Sequence, residues 1–248
     1  MKILISNDDG YQAPGIRALA NALRDFADIT IVAPENNRSG TSNALTLDRA
    51  LRLRQDESGI YYVDGTPTDC VHVALTALMS SPPDLIVSGI NQGQNMGDDT
   101  LYSGTVAAAT EGFLFGIPAV AFSQVDKGWE ELEAAAQIAR KIILNHLPPL
   151  SPAFLFNVNI PNLSEHAIKG IQWTRLGKRH MSEPVIREVG VDGGEVYRIG
   201  PPGAARDAGP GTDFHACSEA YVSMTPLQID LTNYQVLQQI HAGEKGNQ

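Results

Sequence analysis

The sequence predicts an α/β protein built on a mostly parallel sheet, and three features point there. Short apolar runs, each closed by a polar turn, recur at residues 2–6, 28–34 and 84–88, as buried parallel strands do. A segment with apolar residues at helical spacing (Ile16, Leu19, Ala20, Leu23, Phe26) lies between the first two runs, which makes a β-α-β unit with a right-handed crossover. At 248 residues the chain has room for one large domain or a core with an appendage.

Composition narrows the function classes. Hydrophobic residues make up 43% and charged residues 19%, a globular balance. The formal net charge of −10 argues against non-specific binding to polymeric nucleic acid. It leaves room for a small phosphorylated ligand in a local pocket. No apolar run reaches the roughly 18 residues of a membrane span, and the N-terminus enters a strand at once, so a cytoplasmic protein with no membrane partner is expected. Cys70 and Cys217 have no metal-type spacing and read as inert thiols in a reducing compartment.

Taken in order, the first strand stops at Asn7-Asp8-Asp9-Gly10. Two adjacent carboxylates at a strand's C-terminal end sit where open α/β sheets place their ligand crevice, and their repulsion favours a cation beside them. Asn-Asp-Asp-Gly is also ordinary turn chemistry. Gly10 and Gly15 do not make a dinucleotide fingerprint. A helix is expected over residues 14–26 and a second strand over 28–34. That strand runs into the polar segment 34–43, where Ser39 offers a hydroxyl and Arg38 a fixed positive charge, although an exposed loop would look the same. Residues 50–54 and 60–63 predict two short strands of an antiparallel excursion. Thr66 as N-cap and Pro67 at the first helical position then start a helix to about Met79, on which His72 has no partner at ligand spacing.

Pro82-Pro83 breaks that helix before the strand at 84–88, whose end carries Gly89 to Asp99, rich in Gly and Asn. Asn side chains supply neutral carbonyl oxygens suited to a hard cation's shell. Ser103-Gly104-Thr105 then opens a small-residue helix, and its free N–H groups make a ready anion site. A strand is expected over 117–122 and an amphipathic helix over 129–147. Beyond Pro148-Pro149 the pattern changes: strands at 153–161, with Asn at alternate positions, and at 171–176, then a β-hairpin over 184–199 turning at Asp192-Gly193-Gly194. Residues 200–212 read as a Gly/Pro-rich loop, 220–224 as a last strand and 233–241 as a short helix. The site therefore belongs to residues 1–150. Residues 151–248 supply the remaining strands, the hairpin and the C-terminal helix, all within one structural unit.

The motifs Ser6-Asn7-Asp8-Asp9-Gly10, Asn37-Arg38-Ser39-Gly40, Gly65-Thr66-Pro67-Thr68-Asp69-Cys70, Ser88 to Asn95 and Tyr102 to Ala109, in this order, strongly resemble the SurE survival-protein family. So do Phe156 to Pro161 and Tyr221 to Leu227, so that the likeness covers nearly the whole chain. Gly211-Thr212-Asp213 stands where the family often has Asp-Thr-Asp, and Ala220 where Gly usually precedes the Tyr. The resemblance implies a Rossmann-like core with helices on both faces, a protruding C-terminal portion exchanged between subunits, and a homodimer or homotetramer. It implies a 5′/3′-nucleotidase that removes phosphate from nucleoside monophosphates, some members also shortening polyphosphate. It further implies one divalent cation on Asp8, Asp9, Ser39 and Asn91.

The expected chemistry follows. An all-oxygen ligand set without Cys or His favours Mg²⁺ or Mn²⁺ over zinc. Asn95 and the Ser103-Gly104-Thr105 helix start would hold the phosphate. Asp8 and Asp9 would be the catalytic carboxylates, with an oriented water as attacking group and a phospho-aspartyl intermediate on Asp8 as the second route. Among rivals, a receiver-like signalling module lacks a third-strand acceptor Asp, and a haloacid-dehalogenase-type phosphatase would need Asp-x-Asp-x-Thr after the first strand. A non-catalytic nucleotide-binding protein stays open at this point.

Overall fold

The structure, a computed structural model, describes residues 1–179, 184–200 and 202–245. Its centre is a nine-stranded sheet. The first half of the chain contributes β1 (Lys2–Ser6), α1 (Pro14–Leu23), β2 (Asp28–Pro34), β3 (Leu53–Gln55), β4 (Tyr61–Val63), α2 (Pro67–Val73), β5 (Leu85–Gln92), α3 (Gly104–Leu114), β6 (Ala119–Gln124) and α4 (Leu132–Asn145). The second half adds β7 (Leu155–Ile160), β8 (Ile171–Trp173), β9 (Lys178–Arg179), β10 (Ile186–Val189), β11 (Glu195–Arg198), β12 (Ala205–Asp207), α5 (Asp213–Ser218), β13 (Val222–Pro226) and α6 (Tyr234–Lys245). The strand order is β3-β4-β2-β1-β5-β6-β7-β13-β8, with β13 antiparallel to β7 and β3 antiparallel to β4. The run from β4 through β2, β1, β5 and β6 to β7 is parallel throughout.

From β1 the chain crosses to β2 on one side, and after α2 it returns as β5 on the other. The connections therefore diverge between β1 and β5, and a crevice opens at the carboxyl ends of those two strands. Ile3 and Ile5 point to the face covered by α1 and α4, while Leu4 and Ile86 point to the face covered by α2 and α3. Side chains alternate across a strand, so one pentapeptide feeds two cores. Burial of each such Ile or Leu contributes roughly 1.5–3 kcal/mol, and all four are fully buried. No helix among the described residues is long and apolar enough to cross a membrane.

Several elements differ from expectation for local reasons. The helix expected to Met79 keeps α-geometry only to Val73 and continues as a π-turn over Ala74–Leu78. There the Thr76 hydroxyl donates to the His72 carbonyl at 2.7 Å, a back-bond that competes with the helical ladder. The helix expected from residue 129 starts at Leu132. The segment 200–212 is not all loop: β12 pairs antiparallel with β9. Asn157 and Asn159 on β7 are fully buried, so their alternation marks an internal polar face.

At the end of α5, Tyr221 N–H bonds to the Ala216 carbonyl and Ala220 N–H to that of Cys217, the Schellman arrangement. Ala220 consequently sits at φ 64°, a left-handed position that Gly occupies without the roughly 1–2 kcal/mol cost of a Cβ. The hairpin β10–β11 forms as expected, with Gly193 at φ 78° in its turn. Its two strands and the helix α6 are largely exposed.

Candidate active site

Four segments meet at the β1/β5 crevice. The first is the turn after β1, closed by Asn7, which is fully buried; its Nδ2 donates to the Gly10 carbonyl at 2.8 Å and its Oδ1 accepts from Gly10 N–H at 3.2 Å. This turn projects Asp8 inward, 3% exposed, and leaves Asp9 half-buried beside it.

The second segment is the start of α3. Ser103 is its N-cap and accepts from Val106 N–H at 3.1 Å. Thr105 Oγ1 donates to Asp8 Oδ1 at 2.6 Å, and the Thr105 backbone N–H faces the same carboxylate. Gly104 lies flat against the acid: a Cβ there would stand 2.7 Å from Asp8 Cβ and 3.1 Å from Pro67 Cγ. The expected anion site at this helix start is thus directed first at Asp8. Thr105 spends its hydroxyl proton on that acid, while Gly104 N–H and the Ser103 O–H take no acceptor among the described residues.

The third segment is the loop after β2. Arg38 N–H donates to the Asp8 carbonyl at 2.7 Å. Asn37 Nδ2 donates to Asp9 Oδ1 at 3.1 Å, and Asn37 Oδ1 accepts from Ser39 N–H at 2.9 Å in an Asx turn. Ser39, an exposed residue, is thereby bonded through its N–H to the same Asn37 side chain that bonds Asp9.

The fourth segment is the end of β5. Its register with β6 shifts between Ser88 and Asn91, with one extra residue on β5, a bulge that re-aims the strand end. Gly89 makes the bulge possible: it sits at φ 125°, and a Cβ there would lie 2.2 Å from the Phe122 carbonyl. Past the bulge, Gln92 N–H donates to Asp9 Oδ2 at 3.2 Å, and Asn91 Nδ2 donates to the Gly93 carbonyl at 2.8 Å, leaving Asn91 Oδ1 without a partner among the described residues. With the Gln92 amide turned so that its carbonyl faces outward, Oε1 accepts from Trp129 Nε1 at 3.1 Å and Gly128 N–H at 3.2 Å.

Asn95 is 7% exposed and belongs to a neutral network. Its Nδ2 donates to Ser123 Oγ at 2.7 Å, its N–H donates to Asn159 Oδ1 at 2.9 Å, and its carbonyl accepts from Asn157 Nδ2 at 2.7 Å and Asn159 Nδ2 at 3.1 Å. Behind it, Asp213 of α5 accepts from Gly97 N–H and Gly177 N–H, each at 2.8 Å, which ties the loop after β5 to the C-terminal half. His72, by contrast, lies outside the crevice and pairs with Glu111 of α3 at 2.7 Å.

Burial pushes the Asp8 carboxyl up to about 6; the Thr105 hydrogen bond opposes this and the charge of Asp9 adds to it. Burial raises Asp9 as well, against the bonds from Gln92 and Asn37. Burial and mutual repulsion both disfavour the charged forms of these two acids, and a cation beside them would relieve that cost. Among the described residues no group of three or more His, Cys, Asp or Glu could hold a metal. The donor set here is instead two carboxylates with the Asn91 carbonyl and the Ser39 hydroxyl, all hard oxygens, and it fits Mg²⁺ or Mn²⁺. Sequence reasoning located both acids but missed three of their partners. Asn37 was visible as an Asn-x-Ser turn; the Thr105 and Gln92 contacts, between residues 97 and 83 apart, left no local signal.

Fold and crevice together define a Rossmann-like α/β protein with an acidic, oxygen-lined site at the switch point of a parallel sheet. A family model described as survival protein SurE matches residues 3–183. The crystal structure of the SurE protein from Aquifex aeolicus aligns with a TM-score of 0.84 at 42% identity, covering 98% of this chain and 100% of that one. The chain belongs to the SurE family, a family of phosphatases and nucleotidases.

Proposed function

We propose that this chain is a divalent-metal-dependent phosphomonoesterase that hydrolyses nucleoside 5′- and 3′-monophosphates to nucleoside and phosphate, and that it also shortens polyphosphate. The observation that carries this reading is the buried Asp8–Asp9 pair, latched by hydrogen bonds from α3, the β2 loop and the end of β5. Asp8, Asp9, Ser39 and Asn91 would hold one Mg²⁺ or Mn²⁺. When bound, that ion supplies charge neutralisation for the acids and for a phosphate oxygen. The chain's own residues do the rest. Gly104 N–H, the Ser103 hydroxyl and Asn95 hold the phosphate oxygens. Thr105 acts through Asp8, fixing its rotamer. A water oriented by the acidic pair attacks phosphorus in line; its P–O bond forms as the bond to the nucleoside oxygen breaks, and the water's proton passes to the leaving oxygen. Radiolabelled phosphate trapped on the protein after acid quench would replace this route with a phospho-Asp8 intermediate.

The test is a panel of nucleoside monophosphates, p-nitrophenyl phosphate and short polyphosphates with Mg²⁺, Mn²⁺ or EDTA. Turnover is expected with either ion, a fall of at least about 10³-fold in EDTA, and recovery on adding excess ion. Absence of phosphate release across the whole panel would leave a binding protein only.

We also propose that the chain works as a homo-oligomer, a dimer or a tetramer, through its C-terminal half. On the hairpin Val189, Val191 and Ile199 are 80% or more exposed, and on α6 Tyr234, Leu237 and Ile240 form an uncovered apolar stripe. Such surfaces are normally covered by a partner. Sedimentation velocity at micromolar concentration should give a dimer or larger, reduced to a smaller species by removing residues 234–248. A monomeric intact chain would refute this.

A further inference from the structure

Among the described arginines Arg38 alone has a side-chain nitrogen buried without a hydrogen-bond partner, although Arg17, Arg24, Arg52 and Arg206 likewise form no ion pair. Arg49, Arg54, Arg140, Arg175, Arg179, Arg187 and Arg198 each form an ion pair with Asp or Glu. Arg38 forms none among the described residues, although its own N–H rests on the carbonyl of Asp8. Its Nε is buried without a hydrogen-bond partner. A guanidinium is always protonated, so its Nε–H is a charged donor shielded from water and unanswered by any acceptor, while the residue as a whole is half-buried. Such a group is ordinarily costly, and natural proteins keep few of them.

The surroundings locate the charge. The buried thiol of Cys70 on α2 is pushed up by burial and by Asp69, and Arg38 acts on it in the opposite sense. The charge is thus felt at α2, whose Pro67 lies close to Gly104 beside Asp8. The backbone of Arg38 is anchored on Asp8 through its N–H, so the guanidinium is tethered within one side-chain length of the acidic pair. Had Arg38 paired with Asp8 or Asp9, the charges would cancel and neither ligand would have a seat. Kept apart, the two acids stay free for a cation and the guanidinium stays free for an anion.

We infer that Arg38 is a phosphate-contacting catalytic residue: its guanidinium takes the non-bridging oxygens of the phosphoryl group held beside Asp8. A planar fork matches two such oxygens, and in phosphoryl transfer the charge to be balanced is spread over them. This rests on the phosphatase reading and adds a residue and a role to it. Beside Asn95, Ser103 and Gly104, which supply only neutral donors, Arg38 adds a full positive charge.

The test compares the wild type with Arg38→Ala and Arg38→Lys, each as the full chain. For Arg38→Ala, kcat/KM toward p-nitrophenyl phosphate should fall by about 10²–10³-fold, and the dissociation constant for inorganic phosphate should rise at least about tenfold. Added guanidinium should restore part of the lost turnover, and Arg38→Lys should recover part of the phosphate affinity. Affinity for Mn²⁺ without phosphate, measured calorimetrically, should change less than about threefold, because Arg38 is no ligand of the ion. Wild-type phosphate affinity in Arg38→Ala would overturn the assignment, as would a parallel loss of Mn²⁺ affinity and of guanidinium rescue, which marks a merely structural role. Should the wild type release no phosphate from any substrate, the enzyme reading fails, and the phosphate-binding comparison still decides the role of Arg38.

Discussion

Asp8→Asn is expected to abolish turnover, by on the order of 10³-fold or more, while making the metal-free protein more stable at neutral pH. The Asn side chain keeps an oxygen for the Thr105 hydroxyl, so the local geometry survives. What disappears is a buried charge. The Asp8 carboxyl is pushed from 3.8 to about 6 by folding, so it binds its proton more tightly folded than unfolded. Ionisation therefore opposes folding: the contribution is intact below about 3.8 and is lost as pH rises through about 6. At about 1.4 kcal/mol per pH unit the difference near pH 7 is about 3 kcal/mol in favour of Asn. In EDTA, calorimetry should show a higher Tm for Asp8→Asn at pH 7, a shrinking difference between pH 6 and 4, and none below. Saturating Mn²⁺ should reverse the order, since only the wild type gains from binding. An unchanged or lowered Tm for Asp8→Asn at pH 7 in EDTA would show that the acid is not held under strain of this kind.

Gly104→Ala is expected to damage catalysis much more than folding. The new methyl would meet Asp8 Cβ at 2.7 Å, Asp8 Oδ2 at 3.0 Å and Pro67 Cγ at 3.1 Å, so Asp8 or α2 must give way. Overpacking of this kind costs about 1–3 kcal/mol, and Ala returns up to about 1 kcal/mol through its better helix propensity. Position is another matter, because a displacement near 1 Å at a reacting centre costs about 10²-fold in rate. We expect kcat to fall by about that factor and Mn²⁺ affinity to weaken, with a Tm change of only a few degrees. Full kcat in this variant would mean that the packing of α3 on Asp8 is irrelevant to the chemistry.

How much of this was legible in the sequence depends on the range over which each signal acts. β1 and its acidic turn, β2, the Thr66–Pro67 helix start and the Ser103 cap are local: a few adjacent residues carry both the cause and the cue. Thr66 even closes a full capping box with Asp69. The antiparallel β9–β12 pair, of two and three residues with no apolar alternation, offered nothing to read. The π-turn after α2 depends on one hydroxyl, that of Thr76, finding the His72 carbonyl. At the site, Asp8 and Asp9 announced themselves by adjacency at a strand end. That Thr105 serves Asp8 could not be read, since it requires the packing of α3 against the end of β1. Asn157 and Asn159 illustrate the same limit: alternation in β7 is plain, but only tertiary structure shows that its polar side faces Asn95 and not water.

The floor behind the acids is made of Asn95, Ser123, Asn157 and Asn159, joined by amide and hydroxyl groups alone. None of these groups gains or loses a proton under conditions in which a protein stays folded. That layer is accordingly deaf to acidity, whereas Asp213 behind it, whose carboxyl is pushed up by burial, is a scaffold group that can shape the pH curve of turnover together with the two site carboxylates and the substrate's own phosphate.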